Sequence, residues 1–234
     1  MRLAVYFSLE NERFPLDYRR GFASFLKKAL QEANPSLFSQ LYESRATLKP
    51  FTFSGYFPGL KGKQNGDIVV GNSGVLFIST YDHVLFASFY NGFLKLRKEK
   101  YPLFENAITI QNIVFLPTHS FTTDSAELRT MAPVVINTKG NKEWYLLPEN
   151  DGFLEALKFH LGEIARQFLN WKNEIEFNFD PLAIKRKVVT HYNQSIQGFE
   201  GVFQLKSHPE ILRLVYDVGI GARRSQGFGM VKVV

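Results

Sequence analysis

The sequence predicts an α+β protein built as two consecutive units, the first in the order β-α-β-β-α-β and the second of similar content. Three observations predict it. Stretches whose apolar residues alternate are interleaved with stretches at helical spacing. Glycine, proline and asparagine punctuate the joints between them. After the polar stretch of residues 117–125 the pattern begins again. With 234 residues and 45% hydrophobic content, the chain can bury one large core or two small ones.

Leu3, Val5 and Phe7 alternate as in a strand that ends at Asn11-Glu12. From Leu16 to Ala33 the spacing predicts a helix, with Phe22, Phe25, Leu26, Ala29, Leu30 and Ala33 on one face and Arg19, Arg20, Lys27 and Lys28 at the other positions. Asn34-Pro35 stops it, and a short helical turn runs to about Leu41. Phe51-Thr52-Phe53 leads into a hairpin-like region marked by Gly62, Gly66, Gly71 and Gly74, with strands at Asp67–Val70 and Val75–Thr80. A helix over Tyr81–Lys98 and a strand over Ala107–Leu116 close the first unit.

The second unit is expected to open with a strand at Met131–Thr138, a turn at Asn137–Asn141 and a return strand at Glu143–Leu147. A helix follows over Asp151–Leu169, with Leu154, Leu157, Leu161, Ile164, Ala165 and Phe168 on one face. Then come strands at Ile184–His191 and Phe199–Leu205, a helix over His208–Val218 and a terminal strand at Met230–Val234. The expected architecture is two tandem ferredoxin-like domains, residues 1–119 and 120–234, resting on element order because no sequence repeat accompanies it.

The 28 Lys and Arg residues against 22 Asp and Glu give +6, a balance that favours a polyanionic partner. With no cysteine there is no disulfide framework or thiolate metal site. No apolar run approaches the roughly 18 residues of a membrane span, and the first residues turn acidic too soon for a signal peptide. The reading is a cytoplasmic protein without a membrane partner. His119, Asp124 and Glu127 match no ligand spacing, so neither metal nor cofactor is expected.

The segment Gly219-Ile220-Gly221-Ala222-Arg223-Arg224-Ser225-Gln226-Gly227-Phe228-Gly229 is the most informative in the chain. Its glycines allow positive φ and close backbone approach, and Arg223 and Arg224 are placed to meet phosphate. It lacks the Gly-Lys-Ser/Thr ending of a nucleotide-phosphate loop, and it follows a helix where a dinucleotide site would follow a strand. Read alone, it is either an anion-binding loop or a tight connection that needs glycine for packing. A second basic feature is Lys185-Arg186-Lys187, which leads to His191 along one strand; it reads as a nucleic-acid contact or as an edge strand protected by charge.

Gly219-h-Gly221, five residues, then Gly227-h-Gly229 before a terminal strand resembles the signature of the RAMP superfamily, specifically the CRISPR precursor-RNA-processing endoribonucleases of the sixth Cas family. Leu214–Val218 before the loop and Met230–Val233 after it are similar to that family, as are Met131-Ala132-Pro133-Val134-Val135-Ile136 and the Asn34-Pro35 helix ending. The resemblance implies two tandem ferredoxin-like domains, a repeat-RNA partner, and metal-independent cleavage in which a ribose 2′-hydroxyl attacks the adjacent phosphorus. It makes Arg19, Arg20, Lys185, Arg186, Lys187, His191, Arg223, Arg224 and the loop glycines Gly219, Gly221, Gly227 and Gly229 the expected RNA-binding residues. Other Cas proteins and a second copy of the chain are further candidate partners.

Many members of that family use a Tyr on the first helix, a His after the next short helix and a Lys before the following strand. Aligned on Asn34-Pro35, this sequence carries Lys27 at the Tyr position, Tyr42 at the His position and Lys49 at the Lys position. A phenol is a weak base near neutrality, whereas crowded lysines titrate lower. Lys27, Lys28, Tyr42 and Lys49 are therefore the expected catalytic set, joined by Arg223 and Arg224 to supply a neutral amine and transition-state charge. Three functions follow from the resemblance: an active repeat endoribonuclease, a noncatalytic repeat-binding protein, or a structural subunit of a CRISPR effector complex.

Overall fold

The computed structural model describes residues 1–43, 48–97, 99–138, 140 and 145–234. Its first half runs β1 (Arg2–Leu9), β2 (Arg13–Pro15), α1 (Tyr18–Ala33), α2 (Pro35–Tyr42), β3 (Phe51–Tyr56), β4 (Gly62–Gln64), β5 (Asp67–Val69), β6 (Ser73–Thr80), α3 (His83–Leu96), β7 (Lys100–Leu103) and β8 (Asn106–Leu116). The second half runs β9 (Ser125–Thr130), β10 (Ile136–Asn137), β11 (Tyr145–Leu146), α4 (Phe153–Leu169), β12 (Phe177–His191), β13 (Gln194–Ser207), α5 (Pro209–Val218), a 3₁₀ turn at Arg224–Gln226, and β14 (Val231–Val233).

The main sheet of the first half is antiparallel in the order β3-β6-β1-β8-β7, and that of the second half β12-β13-β9-β14. With the edge strand β7 set aside and the remaining strands of each main sheet numbered in chain order, both have the order 2-3-1-4, so both are ferredoxin-like domains. The periodicity read from sequence has a direct physical outcome in β1. Leu3, Val5, Phe7 and Leu9 enter a core with Phe22, Phe25, Phe89 and Phe93 of α1 and α3. The second core gathers Leu128, Phe199, Phe203 and Leu205 from the sheet with Leu157, Leu161, Leu212 and Val215 from α4 and α5. Among the described residues no helix is long and apolar enough to cross a membrane.

Two expectations need correction. The first strand of the second unit is Ser125–Thr130, not Met131–Thr138, of which only Ile136–Asn137 pairs as a strand. Ser125–Thr130 looks polar because its period is two: Ala126 and Leu128 are buried while Glu127 and Arg129 are exposed. The more apolar run from Met131 contains Pro133, which has no N–H to give a ladder. Instead, the carbonyls of Pro133 and Val135 accept from Gly229 N and Ala222 N at 2.8 and 2.7 Å, so this run is the backbone partner of the glycine loop. The second correction concerns Asp67–Val70. Its β5 lies outside the main sheet, between β2 and β4 in a small sheet of its own, and Phe51–Tyr56 supplies the second strand of the domain. The expected turn at Asn137–Asn141 and the start of the Glu143 strand lie largely outside the described residues.

The other face of the first sheet meets the second domain through polar side chains that bind its backbone. Arg2 Nη2 donates to Tyr216 O at 2.5 Å and Val231 O at 2.6 Å. Thr52 Oγ1 donates to Phe228 O at 2.8 Å, Ser54 Oγ to Met131 O at 2.5 Å, and Ser79 Oγ to Asp217 O at 2.7 Å. The Arg2 guanidinium lies 3.4 Å from the Tyr216 ring centroid, at the carbonyl end of α5 where the helix dipole favours a cation. Arg2 is 4% exposed, so truncating it removes buried hydrogen bonds to two carbonyls and leaves Tyr216 O with a longer one, 3.1 Å from Ser79 Oγ. Arg2→Ala is expected to cost about 2–3 kcal/mol, measured by denaturant unfolding; a change under about 0.5 kcal/mol would mean the carbonyls find water.

Candidate RNA interface

Asn34 and Pro35 bend the chain between α1 and α2. Pro35 occupies the first helical position, where no N–H is needed, and the Asn34 side chain accepts from Leu37 N at 3.1 Å. Tyr42 thereby comes back toward Lys27. Lys27 Nζ lies 4.9 Å and Lys49 Nζ 4.7 Å from the Tyr42 ring centroid, and Phe38 stacks on that ring at 5.2 Å. Burial, and then the charge of Lys27, lower the Lys49 pKa. Burial pushes the Tyr42 phenol up, so it stays protonated. Lys28 points elsewhere, to an ion pair of 2.5 Å with Glu32 that raises its pKa.

The glycine loop is built by packing. Gly219, Gly221, Gly227 and Gly229 are buried and all have positive φ. A Cβ on Gly221 would stand 2.4 Å from Val135 O, and one on Gly229 only 2.0 Å from Ile220 O. Four side chains of the loop's outer turn, Ala222, Arg223, Ser225 and Gln226, are partly exposed. Arg223 Nε donates to Tyr145 Oη at 3.0 Å and its Nη1 to Gln226 Oε1 at 3.2 Å. Arg224 is turned inward, 6% exposed, with Nη1 donating to Val218 O at 3.2 Å. Desolvation lowers its pKa to about 10, which leaves it charged at neutral pH.

Other expected RNA-binding residues divide in the same way. Arg19 is buried, donates from Nε to Gly227 O at 3.1 Å and lies over Phe228. His191 ends β12 just before a two-residue turn, Tyr192-Asn193, whose positive φ values of 48° and 61° suit a tight hairpin. Its ring is buried, with Nδ1 3.0 Å from Asp17 Oδ1 and Nε2 3.1 Å from Gln226 Oε1, so it ties the hairpin tip to α1 and to the loop. Burial lowers its pKa. Arg20, Lys185, Arg186 and Lys187 face solvent, the last three on edge strand β12; Lys187 pairs with Glu200 at 3.3 Å.

Between the loop's outer turn, Lys49 and α4 lies a cleft of about 470 Å³. Lys49, Arg223, Arg224, Ser225, His160 and Asn137 line it. In sequence, His160 is one histidine on an amphipathic helix and carries no motif. The available signal was its spacing: it lies three residues after Leu157 and four before Ile164, at the flank of the buried face of α4.

Two ferredoxin-like domains joined through a buried glycine loop, with a cation-lined cleft beside that loop, define the RAMP class of fold. The family described as "CRISPR associated protein Cas6, C-terminal" matches residues 116–233, and the chain belongs to that family. It is 26% identical over 239 residues to the CRISPR-associated endoribonuclease Cas6 1 of Methanocaldococcus jannaschii, covering 98% of this chain and 92% of that protein. Among solved structures, it superposes on the product of a Cas6-related gene from Pyrococcus furiosus with a TM-score of 0.87 at 19% identity, covering 100% of this chain and 98% of the other. A RAMP protein binding different RNA substrates superposes with a TM-score of 0.84 at 21% identity, covering 100% and 99%.

Proposed function

We propose that the chain binds CRISPR repeat RNA and cuts the precursor transcript within the repeat, in the cytoplasm, by attack of a ribose 2′-hydroxyl on the adjacent phosphorus. The observation that carries this reading is Lys49, which stands with Lys27 around Tyr42 and lines the same cleft as Arg223. Phosphoryl cleavage needs cations where the phosphorane charge develops, and a partly desolvated site makes them effective. In this reading Lys27 and Lys49 supply that charge, with Tyr42 as the platform that holds them, and Lys28, paired with Glu32 on the helix surface, adds little. Residues 1–119 and 120–234 act as two domains that hold the RNA between them. Arg20, Lys185, Arg186, Lys187 and Arg223 are the side chains free enough to meet phosphate, while Arg19, Arg224, His191 and the four glycines hold the surface that presents them.

Incubating the protein with labelled repeat RNA in EDTA tests the reading. Cleavage should survive the chelator and vanish when the ribose at the cut site is 2′-deoxy. Absence of binding would sink it. Tyr42 at the position where many relatives carry histidine favours a second reading, a repeat-binding protein without catalysis, for which tight binding without product is the expected result. Arg223→Ala should weaken binding and reduce the slope of log K against log salt by about one; an unchanged slope would mean that Arg223 meets no phosphate.

A further inference from the structure

We propose that His160, on α4 of the second domain, is the proton acceptor for the 2′-hydroxyl in this cleft. The inference rests on the cleavage reading above and deepens it. The chemistry requires a group that is basic yet largely unprotonated near neutrality. Tyr42 is held as a neutral phenol by burial, and Lys28 is engaged by Glu32. Lys49, though lowered, has more to offer as a cation for the phosphorane.

His160 meets the requirement through geometry. Its Nε2 lies 3.0 Å from Asn137 O, an acceptor only, so the proton of the neutral ring sits on Nε2. Nδ1 is then the lone-pair nitrogen, the ring atom that can accept a proton. The ring is half-buried and lines the cleft together with Lys49, Arg223 and Ser225. Burial favours the neutral ring. Desolvation lowers its pKa below 6.5, the backbone bond to Asn137 and the Glu163 carboxylate oppose that, and the Arg224 guanidinium adds to it. Lys49 and Arg223 across the cleft carry the same sign as Arg224.

The step balances without a further reactant. Nδ1 takes the 2′-hydroxyl proton as the 2′-oxygen bonds to phosphorus. The bond from phosphorus to the 5′-oxygen breaks, and that oxygen takes a proton from the Lys49 ammonium or from water. The products are a 2′,3′-cyclic phosphate and a 5′-hydroxyl, after which the imidazolium releases its proton to solvent and the Lys49 amine, or the hydroxide left from water, takes one up.

The test compares single-turnover cleavage of the chain's own repeat RNA by wild type and His160→Gln from pH 5 to 8, with binding and melting temperature measured alongside. Glutamine can still donate to Asn137 O but offers no titrating nitrogen. Wild type should lose rate as pH falls through a value below 6.5. His160→Gln should bind within about two-fold of wild type yet cleave about 100-fold more slowly, without that acid limb. Cleavage by His160→Gln at the wild-type rate, with the same acid limb, would overturn the proposal and leave the cleavage reading standing. So would a wild-type rate that is flat from pH 5 to 7, a result needing no variant. Wild-type protein that binds the repeat and yields no cyclic phosphate would overturn the cleavage reading itself.

Discussion

Gly229→Ala should destabilise the protein by about 3–5 kcal/mol, the largest stability effect expected of any single methyl added to the loop. Two costs add. At φ +70° an alanine pays for the left-handed conformation, roughly 1 kcal/mol or more, and its Cβ would stand 2.0 Å from Ile220 O, where the backbone must move. That movement is resisted because Gly229 is bonded on both sides: its N–H donates to Pro133 O at 2.8 Å and its carbonyl accepts from Ile220 N at 2.9 Å. Gly66→Ala is the matched control, since Gly66 has φ +86° with nothing within 4 Å of an added Cβ. It should cost about 1 kcal/mol, the conformational part alone. Equal unfolding midpoints for the two variants would show that the loop yields to the collision.

Lys49→Ala should slow repeat cleavage by about 100- to 1000-fold, the scale expected when one preorganised charge is removed from a developing oxyanion. Lys49 combines what the other candidates have separately. It is partly buried, it shares the Tyr42 ring with Lys27, and it borders the cleft that Arg223 and His160 also line. Lys49→Arg, which keeps the charge, should retain more activity than the alanine variant. Lys28→Ala should change the rate little, because its ammonium is held by Glu32 on the helix surface. Tyr42→Phe should also be mild, since the ring that both lysines flank remains and its phenol is not a base at neutral pH. A Lys49→Ala rate within three-fold of wild type would remove Lys49 from the reaction.

Periodicity located most elements because burial of one face is a local property of a strand or helix. The helix expected over Leu16–Ala33 is Tyr18–Ala33, and the strand expected over Ala107–Leu116 is Asn106–Leu116. It misled where an apolar run is buried without being a strand. Met131–Ile136 is covered by the glycine loop and by Phe199; Val134 exchanges backbone bonds with Phe199, while Pro133 and Val135 accept from the loop some ninety residues away. Ser125–Thr130 passed for a connection because half of its residues face solvent.

By itself, then, the sequence determined the order of the elements, the basic balance of the chain, and the glycine spacing that places it in its family. Those properties reside in neighbouring residues, so period and motif can report them. Only the tertiary structure decided which cations are available. Arg19, Arg224 and His191 look as basic in sequence as Arg20, Arg223 and Lys185, yet the first three are buried against partners distant in the chain. The same holds for His160, whose place in one cleft with Lys49 depends on two domains closing on one loop. A side chain's charge is written in the sequence, but its desolvation and its neighbours are set by contacts between segments that no local pattern connects.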